Sequence, residues 1–169
     1  MNAKIDLMDK TSYPVTPAVR LLREKKIAFE PLLYEYKEHG GTARSATELQ
    51  VPEHDVIKTI VMQRDDRSPL IVLMHGDREI STKELARAIG AKSVTPCAPD
   101  AAQKHTGYQV GGTSPFGTRR AMPVYAEKSI FELPRIYING GKRGFLVAID
   151  PKELKAALPV TEVQVAVSK

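Results

Sequence analysis

Two short apolar runs, residues 57–63 and 70–74, constrain the fold more than any other part of the sequence. Both are rich in Val, Ile, Leu and Met, and such runs bounded by turn residues are typical of strands. The residues between them, 64–69, contain Asp, Ser and Pro and have the composition of a loop. A connection this short predicts that the two strands are antiparallel neighbours in one sheet.

The remaining elements follow no regular alternation. Helices are predicted where a capping residue precedes an apolar stripe, at residues 17–27, 82–89 and 151–158, and shorter helical patterns cover 45–49 and 100–105. Further strands are predicted at residues 29–36, 123–126, 135–138 and 145–149. This order favours an α+β sheet over a series of βαβ units.

A single domain is predicted for residues 13–169, and residues 1–12 are expected to be disordered. The chain has 169 residues, 42% of them hydrophobic, and no repeat or long linker divides it. Its N-terminus has charges where a secretory signal would be apolar, and no apolar run approaches the roughly 18 residues of a membrane span. We therefore expect a cytoplasmic protein with no membrane partner.

Lys58 is the first candidate for chemistry. It interrupts the apolar run Val56-Ile57-Lys58-Thr59-Ile60-Val61-Met62. A lysine in this position either extends its ammonium to water at the edge of the sheet or is partly buried with its ammonium in a pocket. The residues alone leave both interpretations open.

The glycine-rich segment, residues 107–117, is the second candidate, with four glycines and one proline. Glycine lets the backbone approach a ligand closely and present N–H groups to an oxyanion or a ribose. The segment is neither a dinucleotide fingerprint nor a phosphate loop, because no strand leads into it and no Gly-Lys-Ser/Thr ends it. A glycine-rich connection without function fits it equally well.

Residues 139–144 form a second glycine segment, in which Lys142 and Arg143 are adjacent. Because it lies between two predicted strands, we predict a tight β-hairpin turn with exposed charges.

Cysteine and histidine offer few possibilities. The chain has one cysteine, Cys97, and four scattered histidines, so an internal disulfide is excluded and no zinc-type spacing is present. No partner for the Cys97 thiol is evident, which argues against a nucleophile. His105 adjoins the glycine-rich segment and is either a pocket residue or a histidine at a helix end. We expect no metal and no cofactor.

Positive charge is concentrated in one stretch. The net charge is +5, and residues 104–143 carry seven basic side chains against only Glu127 and Glu132. Such a stretch suits a polyphosphate or a nucleic-acid backbone. A solvated surface with a chance bias in charge is the alternative.

Several segments, in their order along the chain, resemble a known family. They are Thr16-Pro17-Ala18-Val19, Tyr34, Val56-Ile57-Lys58-Thr59, residues 100–103 leading into 106–117, and residues 136–144. The set is similar to the YbaK/EbsC family of aminoacyl-tRNA deacylases, which is related to the editing domain of bacterial prolyl-tRNA synthetases. The resemblance covers residues 16–158.

The resemblance implies an α+β fold with a mixed, mostly antiparallel, barrel-like sheet and surrounding helices. It also implies removal of a wrong amino acid, cysteine above all, from the acceptor end of tRNA(Pro), and Cys-tRNA(Cys) as a further substrate. Prolyl-tRNA synthetase is a candidate docking partner. Carried over, Lys58 is the catalytic residue, and it holds the ester carbonyl or the phosphate end of the acceptor.

The resemblance also implies substrate-binding residues, which are Tyr34, Thr59, Gly111, Gly112, Thr113, Ser114, Pro115, Asn139 and Gly141. With tRNA as the substrate, the basic stretch beside the glycine-rich segment predicts contacts to tRNA at Lys104, Arg119, Arg120, Lys142 and Arg143. For cysteine the implied route is attack of the substrate thiol on its own ester with release of a thiolactone, and a positioned water is the alternative.

Other functions remain open. The family tends to have an aliphatic residue where Thr113 stands and a serine where Asn139 stands, so a deacylase of Ala- or Ser-tRNA with the same fold is one alternative. A non-catalytic module that binds tRNA or a synthetase is another. A hydrolase that uses Cys97 has little support.

Overall fold

The computed structural model describes residues 13–169, so the disorder predicted for residues 1–12 lies outside the described residues. Helices α1–α5 are Pro17–Glu24, Gly41–Leu49, Thr82–Ile89, Pro99–Thr106 and Glu153–Ala157. Strands β1–β10 are Glu30–Leu33, Val56–Arg64, Pro69–His75, Arg78–Ile80, Val94–Pro96, Val124–Glu127, Ile136–Lys142, Phe145–Ile149, Val160–Val163 and Ala166–Ser168. Short 3-10 helices lie at Glu53–Asp55 and Lys128–Glu132.

Eight strands form one mixed sheet in the order β1-β8-β7-β2-β3-β6-β9, and β5 also pairs with β2. The β1/β8, β8/β7, β2/β3 and β2/β5 pairs are antiparallel. The β2/β7, β3/β6 and β6/β9 pairs are parallel. The predicted α+β fold with a mixed, mostly antiparallel sheet and surrounding helices is confirmed, as is the antiparallel pairing of β2 with β3.

Strand β2 has two successive neighbours on the edge opposite β3. β7 pairs with it at Val56 and Ile57, and β5 pairs with it from Met62 to Arg64. Next to β5, the Cys97 N–H donates to the Val61 carbonyl at 3.0 Å. Backbone groups two residues apart point to the same edge of a strand, so Thr59 directs its N–H and C=O into the gap between β7 and β5.

Apolar side chains cover both faces of this sheet. On one face Ile57 packs with Leu22 of α1, Phe116 of the glycine-rich segment and Phe145 of β8. On the other face a second cluster joins β2 and β3 to Leu85 of α3. A third, smaller cluster seats Ala46 of α2 against the sheet. Of the helices found between residues 13 and 169, none is long and apolar enough to cross a bilayer.

The predicted helix starts are confirmed at two caps. The Thr16 hydroxyl accepts a hydrogen bond from the Val19 N–H at 3.1 Å and donates to the Gly140 carbonyl, which ties α1 to β7. The Ser81 hydroxyl accepts from the Glu84 N–H at 3.2 Å at the start of α3. Each cap satisfies a backbone donor that the first turn of a helix leaves unpaired.

The tight β-hairpin turn predicted within residues 139–144 is present but shorter than predicted. β7 continues to Lys142 through an irregularity after Asn139, and the turn to β8 contains only Arg143 and Gly144. The Asn139 carboxamide oxygen accepts from the Gly141 N–H at 2.7 Å and from the Lys142 N–H at 3.2 Å. These bonds, together with the positive φ of Gly141, form a bulge that prolongs the strand.

Several other boundaries differ. β1 ends at Leu33 instead of residue 36, and α2 begins at Gly41 instead of residue 45. Four strands of three or four residues, β4, β5, β9 and β10, were not predicted. They are too short for a period-two pattern to mark them, and their pairing depends on partners distant in sequence.

His75, at the end of β3, is a buried histidine with two hydrogen bonds. Its Nδ1 donates to the His54 carbonyl at 2.8 Å, so its Nε2 accepts from the Ser129 hydroxyl at 2.7 Å. Its ring stacks on that of His54 with centroids 3.8 Å apart, and His54 pairs with Asp77. Burial lowers the pKa of His75, and the hydrogen bond to the His54 carbonyl opposes this effect only in part.

We expect His75 to make the protein less stable in acid. In the unfolded chain, His75 binds a proton as the pH falls below about 6.5, whereas in the folded protein its lowered pKa keeps it neutral. The free energy of unfolding therefore decreases as the pH falls through that value. The slope is at most about 1.4 kcal/mol per pH unit. Urea unfolding at pH 8 and pH 5.5 should show a smaller loss for His75→Gln than for wild type. An equal loss in both proteins contradicts this, and His39→Asn, in an exposed loop, is the control.

Candidate active site

A cavity of about 530 Å³ opens where β2 lacks a neighbour. Residues 56–61 of β2 line it on one side. Residues 34–45, the start of α4, the glycine-rich segment and the β7–β8 turn form the rest. The lining residues used below are Tyr34, Tyr36, Lys58, Thr59, Cys97, Val110, Gly111, Thr113, Asn139 and Arg143. The unpaired backbone at Thr59 therefore faces a space large enough for a small ligand.

The Lys58 side chain lines this cavity and is 20% exposed, so it is partly buried. Its Nζ donates to the Arg78 carbonyl at 2.5 Å and lies 3.8 Å from a carboxylate oxygen of Glu79. Burial lowers the pKa of Lys58, while the negative charge of Glu79 raises it. The site thus holds a partly desolvated cation, which interacts more strongly with a nearby anion than a solvated one does.

The glycine-rich segment is fastened to β7 and to the β7–β8 turn. The Asn139 amide donates to the Gly111 carbonyl at 3.2 Å, and Arg143 Nε donates to the Val110 carbonyl at 2.7 Å. A Cβ on Gly112 would lie 2.7 Å from the backbone nitrogen of Arg143. Only glycine permits so close an approach of the two backbones.

Tyr36 and Arg143 form one rim of the cavity. The Arg143 guanidinium lies 4.9 Å from the centroid of the Tyr36 ring, a cation–π contact. A Cβ on Gly111, which has φ +88°, would lie 2.5 Å from the Tyr36 hydroxyl. Val110 beside them is 44% exposed, so the rim combines a cation, a ring and an apolar side chain.

Thr59 contributes an unsatisfied hydroxyl. Among the residues that the structure describes, its Oγ1 is the one buried side-chain oxygen or nitrogen with no hydrogen-bond partner. A buried polar group left unpaired in this way costs about 1–3 kcal/mol.

The predicted site residues fall into two groups. The structure brings Tyr34, Lys58, Thr59, Gly111, Thr113, Asn139 and Arg143 together around the cavity. The others do not line it. Gly112, Ser114 and Pro115 are buried behind the loop, where the Ser114 hydroxyl accepts from the Phe116 N–H at 3.1 Å, and Gly141 packs against Tyr108 and Thr16. Lys104, Arg119, Arg120 and Lys142 are exposed outside it.

The sequence analysis did not predict that Tyr36 and Cys97 line the cavity. Tyr36 follows Tyr34 by two residues in the predicted strand 29–36, and this spacing could have assigned both to one face. The Cys97 thiol lines the cavity, 3.8 Å from the Gln63 side-chain oxygen. Burial raises the pKa of this thiol, which keeps it protonated at neutral pH and makes it a poor nucleophile.

The five predicted tRNA-contacting cations share a property. Within residues 13–169, none of the five has a carboxylate within 4.0 Å, whereas Arg44 has two and Arg87, Arg135 and Lys155 each have one. His105 lies beside two of the five, and burial lowers its pKa, as do the charges of Arg120 and Lys104. Unpaired cations of this kind are available to bind an anionic partner.

Comparison with protein families and sequences gives two findings. The model of the aminoacyl-tRNA editing domain matches residues 38–157. EbsC of Enterococcus faecalis, which its name describes as a proposed Cys-tRNA(Pro)/Cys-tRNA(Cys) deacylase, is 28% identical over 146 residues, 86% of this chain and 89% of that protein.

Two further comparisons match a proline–tRNA ligase and a solved structure. A proline–tRNA ligase of Brachyspira hyodysenteriae is 27% identical over 86 residues, 51% of this chain but 15% of the ligase. A solved structure described as that of a proposed trans-editing enzyme for prolyl-tRNA synthetase superimposes with a TM-score of 0.79 over 92% of this chain and all of that one. At 18% identity, this superposition shows a shared fold.

We expect Gly112→Ala to separate the glycine-rich segment from the β7–β8 turn, because the new Cβ collides with backbone atoms. The variant should lose about 1–3 kcal/mol of stability in urea unfolding. Trypsin should also cleave it faster after Arg143, whose bond to Val110 is lost. Gly90→Ala, at the C-terminus of α3 with open space around it, is the control for cleavage. Wild-type stability and cleavage in Gly112→Ala would show that the close contact is unimportant.

Proposed function

The chain belongs to the aminoacyl-tRNA editing domain family, and we propose that it is a trans-editing deacylase that removes cysteine from tRNA(Pro), and also from tRNA(Cys). The name of the Enterococcus relative supports this substrate. The observation that carries the proposal is Lys58, whose partly buried side chain lines a cavity at the point where the edge of β2 is unpaired.

The chemistry of an ester fits these groups. When the carbonyl carbon is attacked, negative charge develops on its oxygen, and a nearby cation and backbone N–H groups stabilise that charge. Lys58 supplies the cation, and the Thr59 N–H in the gap of the sheet supplies a donor. An ester needs little further activation, so no protein nucleophile is required.

Cysteine offers a route that uses its own thiol. The substrate sulfur attacks the ester carbonyl carbon, the bond from that carbon to the ribose oxygen breaks, and the ribose oxygen receives the thiol proton. The amino acid leaves as a thiolactone, and the protein contributes mainly orientation. The alternative within this proposal is attack by a positioned water, which releases free cysteine and would also serve alanine or serine.

The RNA side of the proposal rests on the unpaired cations. Lys104, Arg119, Arg120, Lys142 and Arg143 would neutralise phosphates of the acceptor end, and Arg143 with Tyr36 lies at the mouth of the cavity. We also propose prolyl-tRNA synthetase as a partner. The contacts between these cations and the acceptor end would be the same whether the protein acts alone or bound to the synthetase.

We expect the protein to deacylate Cys-tRNA(Pro) and Lys58→Ala to lose about 100- to 1,000-fold in rate, the loss typical when one group that stabilises developing charge is removed. The measurement is release of labelled amino acid from Cys-, Ala- and Ser-tRNA(Pro) and from Cys-tRNA(Cys). Lys83→Ala, an exposed lysine on α3, is the control.

Full activity in Lys58→Ala would overturn the role of that residue. No deacylation of any of the four substrates by wild type would overturn the proposed function. Salt-sensitive binding of tRNA without turnover would favour a non-catalytic module that binds the acceptor end.

We expect Arg119→Ala and Arg120→Ala each to weaken binding of tRNA uniformly across tRNA sequences. Each lost phosphate contact should reduce the slope of log Kd against log salt by about 0.7–0.9. Filter binding at several salt concentrations measures this slope. Arg87→Ala, whose arginine pairs with Glu84 on α3, is the matched control and should leave the slope unchanged. An unchanged slope in both test variants would show that Arg119 and Arg120 do not contact the phosphates of the RNA.

A further inference from the structure

The two contacts that hold the Lys58 ammonium both come from β4. The Arg78 carbonyl accepts its hydrogen bond at 2.5 Å, and the Glu79 carboxylate lies 3.8 Å away. Neither Arg78 nor Glu79 lines the cavity. The aliphatic part of the Lys58 side chain therefore lines the cavity, and its ammonium is held by β4, whose residues do not line the cavity.

Strand β4 is in turn held by the C-terminal strand. β10 pairs with β4 in a separate two-stranded sheet, with Val167 opposite Glu79 and Ser168 opposite Arg78. Just before β10, the Val165 carbonyl accepts from the Ser81 N–H at 2.8 Å, and the Val165 N–H donates to the buried Glu127 carboxylate at 2.7 Å. β10 lies beyond residue 157, where the match to the family model ends.

Several charges surround the Lys58 ammonium. Glu79 on β4, Glu53 on the first 3-10 helix and Asp77 in the β3–β4 turn are acidic, and Lys169 at the C-terminus is basic. Lys169 is paired with Glu53 at 3.0 Å, and Asp77 is paired with His54 at 2.8 Å. Of these three carboxylates, Glu79 is the one that forms an ion pair with Lys58.

We propose that Glu79, together with the Arg78 carbonyl, is the positioning element of Lys58 and that it keeps the ammonium charged and aligned with the cavity. The inference rests on the proposed function, in which Lys58 stabilises negative charge. A lysine ammonium has three N–H donors. Arg78 takes one, and Glu79 at 3.8 Å contributes its charge without a hydrogen bond, so an N–H donor remains for an oxygen of the substrate.

Glu79→Gln tests the role of this carboxylate, because it retains the size of the side chain and removes the charge. Burial then acts on Lys58 with less opposition, so the pKa of its ammonium should fall. Titration of the Lys58 side chain by NMR, assigned with Lys58→Arg, measures that pKa whether or not the protein is active. The titration midpoint of Lys58 should be lower in Glu79→Gln than in wild type.

Deacylation provides the second readout. Glu79→Gln should lower kcat about two- to fivefold at neutral pH, the size expected for a half-exposed ion pair, and more at alkaline pH. KM should change little. Glu79→Asp, which keeps the charge, should recover part of the loss. Glu84→Gln removes an equally exposed carboxylate from α3 and should leave both readouts unchanged.

The outcomes distinguish the role proposed for Glu79 from the deacylase function proposed for the protein. An unchanged Lys58 titration and an unchanged pH profile in Glu79→Gln would overturn the role of Glu79. Wild-type protein that leaves every aminoacyl-tRNA intact would overturn the proposed function, while a shifted Lys58 titration would still support the contact with Glu79. Thermal unfolding of each variant verifies that the fold is retained.

Discussion

The site depends on an interruption in the pairing of β2. β7 leaves the strand after Ile57 and β5 joins it at Met62, so the backbone of Thr59 has no strand beside it on that edge. An unpaired backbone N–H or C=O within a fold is costly unless a ligand or water satisfies it. The glycine-rich segment beside this gap is fastened to Asn139 of β7 and to Arg143 of the β7–β8 turn, and it adds no strand to β2.

Electrostatics divide the molecule into two regions with different tasks. Around Lys58, burial lowers the pKa of the ammonium and the neighbouring Glu79 carboxylate raises it, and contacts to β4 hold this charge beside the cavity. On the surface, cations such as Arg119 and Arg120 form no ion pair with a carboxylate among residues 13–169. This arrangement suits an extended anion such as an RNA backbone. Small differences between amino acids give only about 1–3 kcal/mol of discrimination in a binding pocket, which is why a separate editing reaction is useful.

Local signals predicted much of the fold. The β2–β3 hairpin and the caps at Thr16 and Ser81 were found because each depends on residues adjacent in sequence. The bulge after Asn139 and the strands β5 and β10 were not found, because their geometry depends on contacts with distant residues. For the site, the sequence analysis gave Lys58 a catalytic role, Tyr34 a substrate-binding role and Arg143 a role in contacting tRNA, and the structure places all three around one cavity. Neither the resemblance to a family nor the pattern could predict Glu79, which meets Lys58 only through tertiary structure.

The most direct test of the central claim is a crystal structure of the protein with a hydrolysis-resistant analogue, an adenosine that carries cysteine through a 3′-amide. The account predicts that the amino acid occupies the gap between β7 and β5, with its carbonyl oxygen toward Lys58 Nζ and the adenosine toward Arg143 and Tyr36. An analogue bound outside this cavity, or bound within it with the carbonyl directed away from Lys58, would contradict the account.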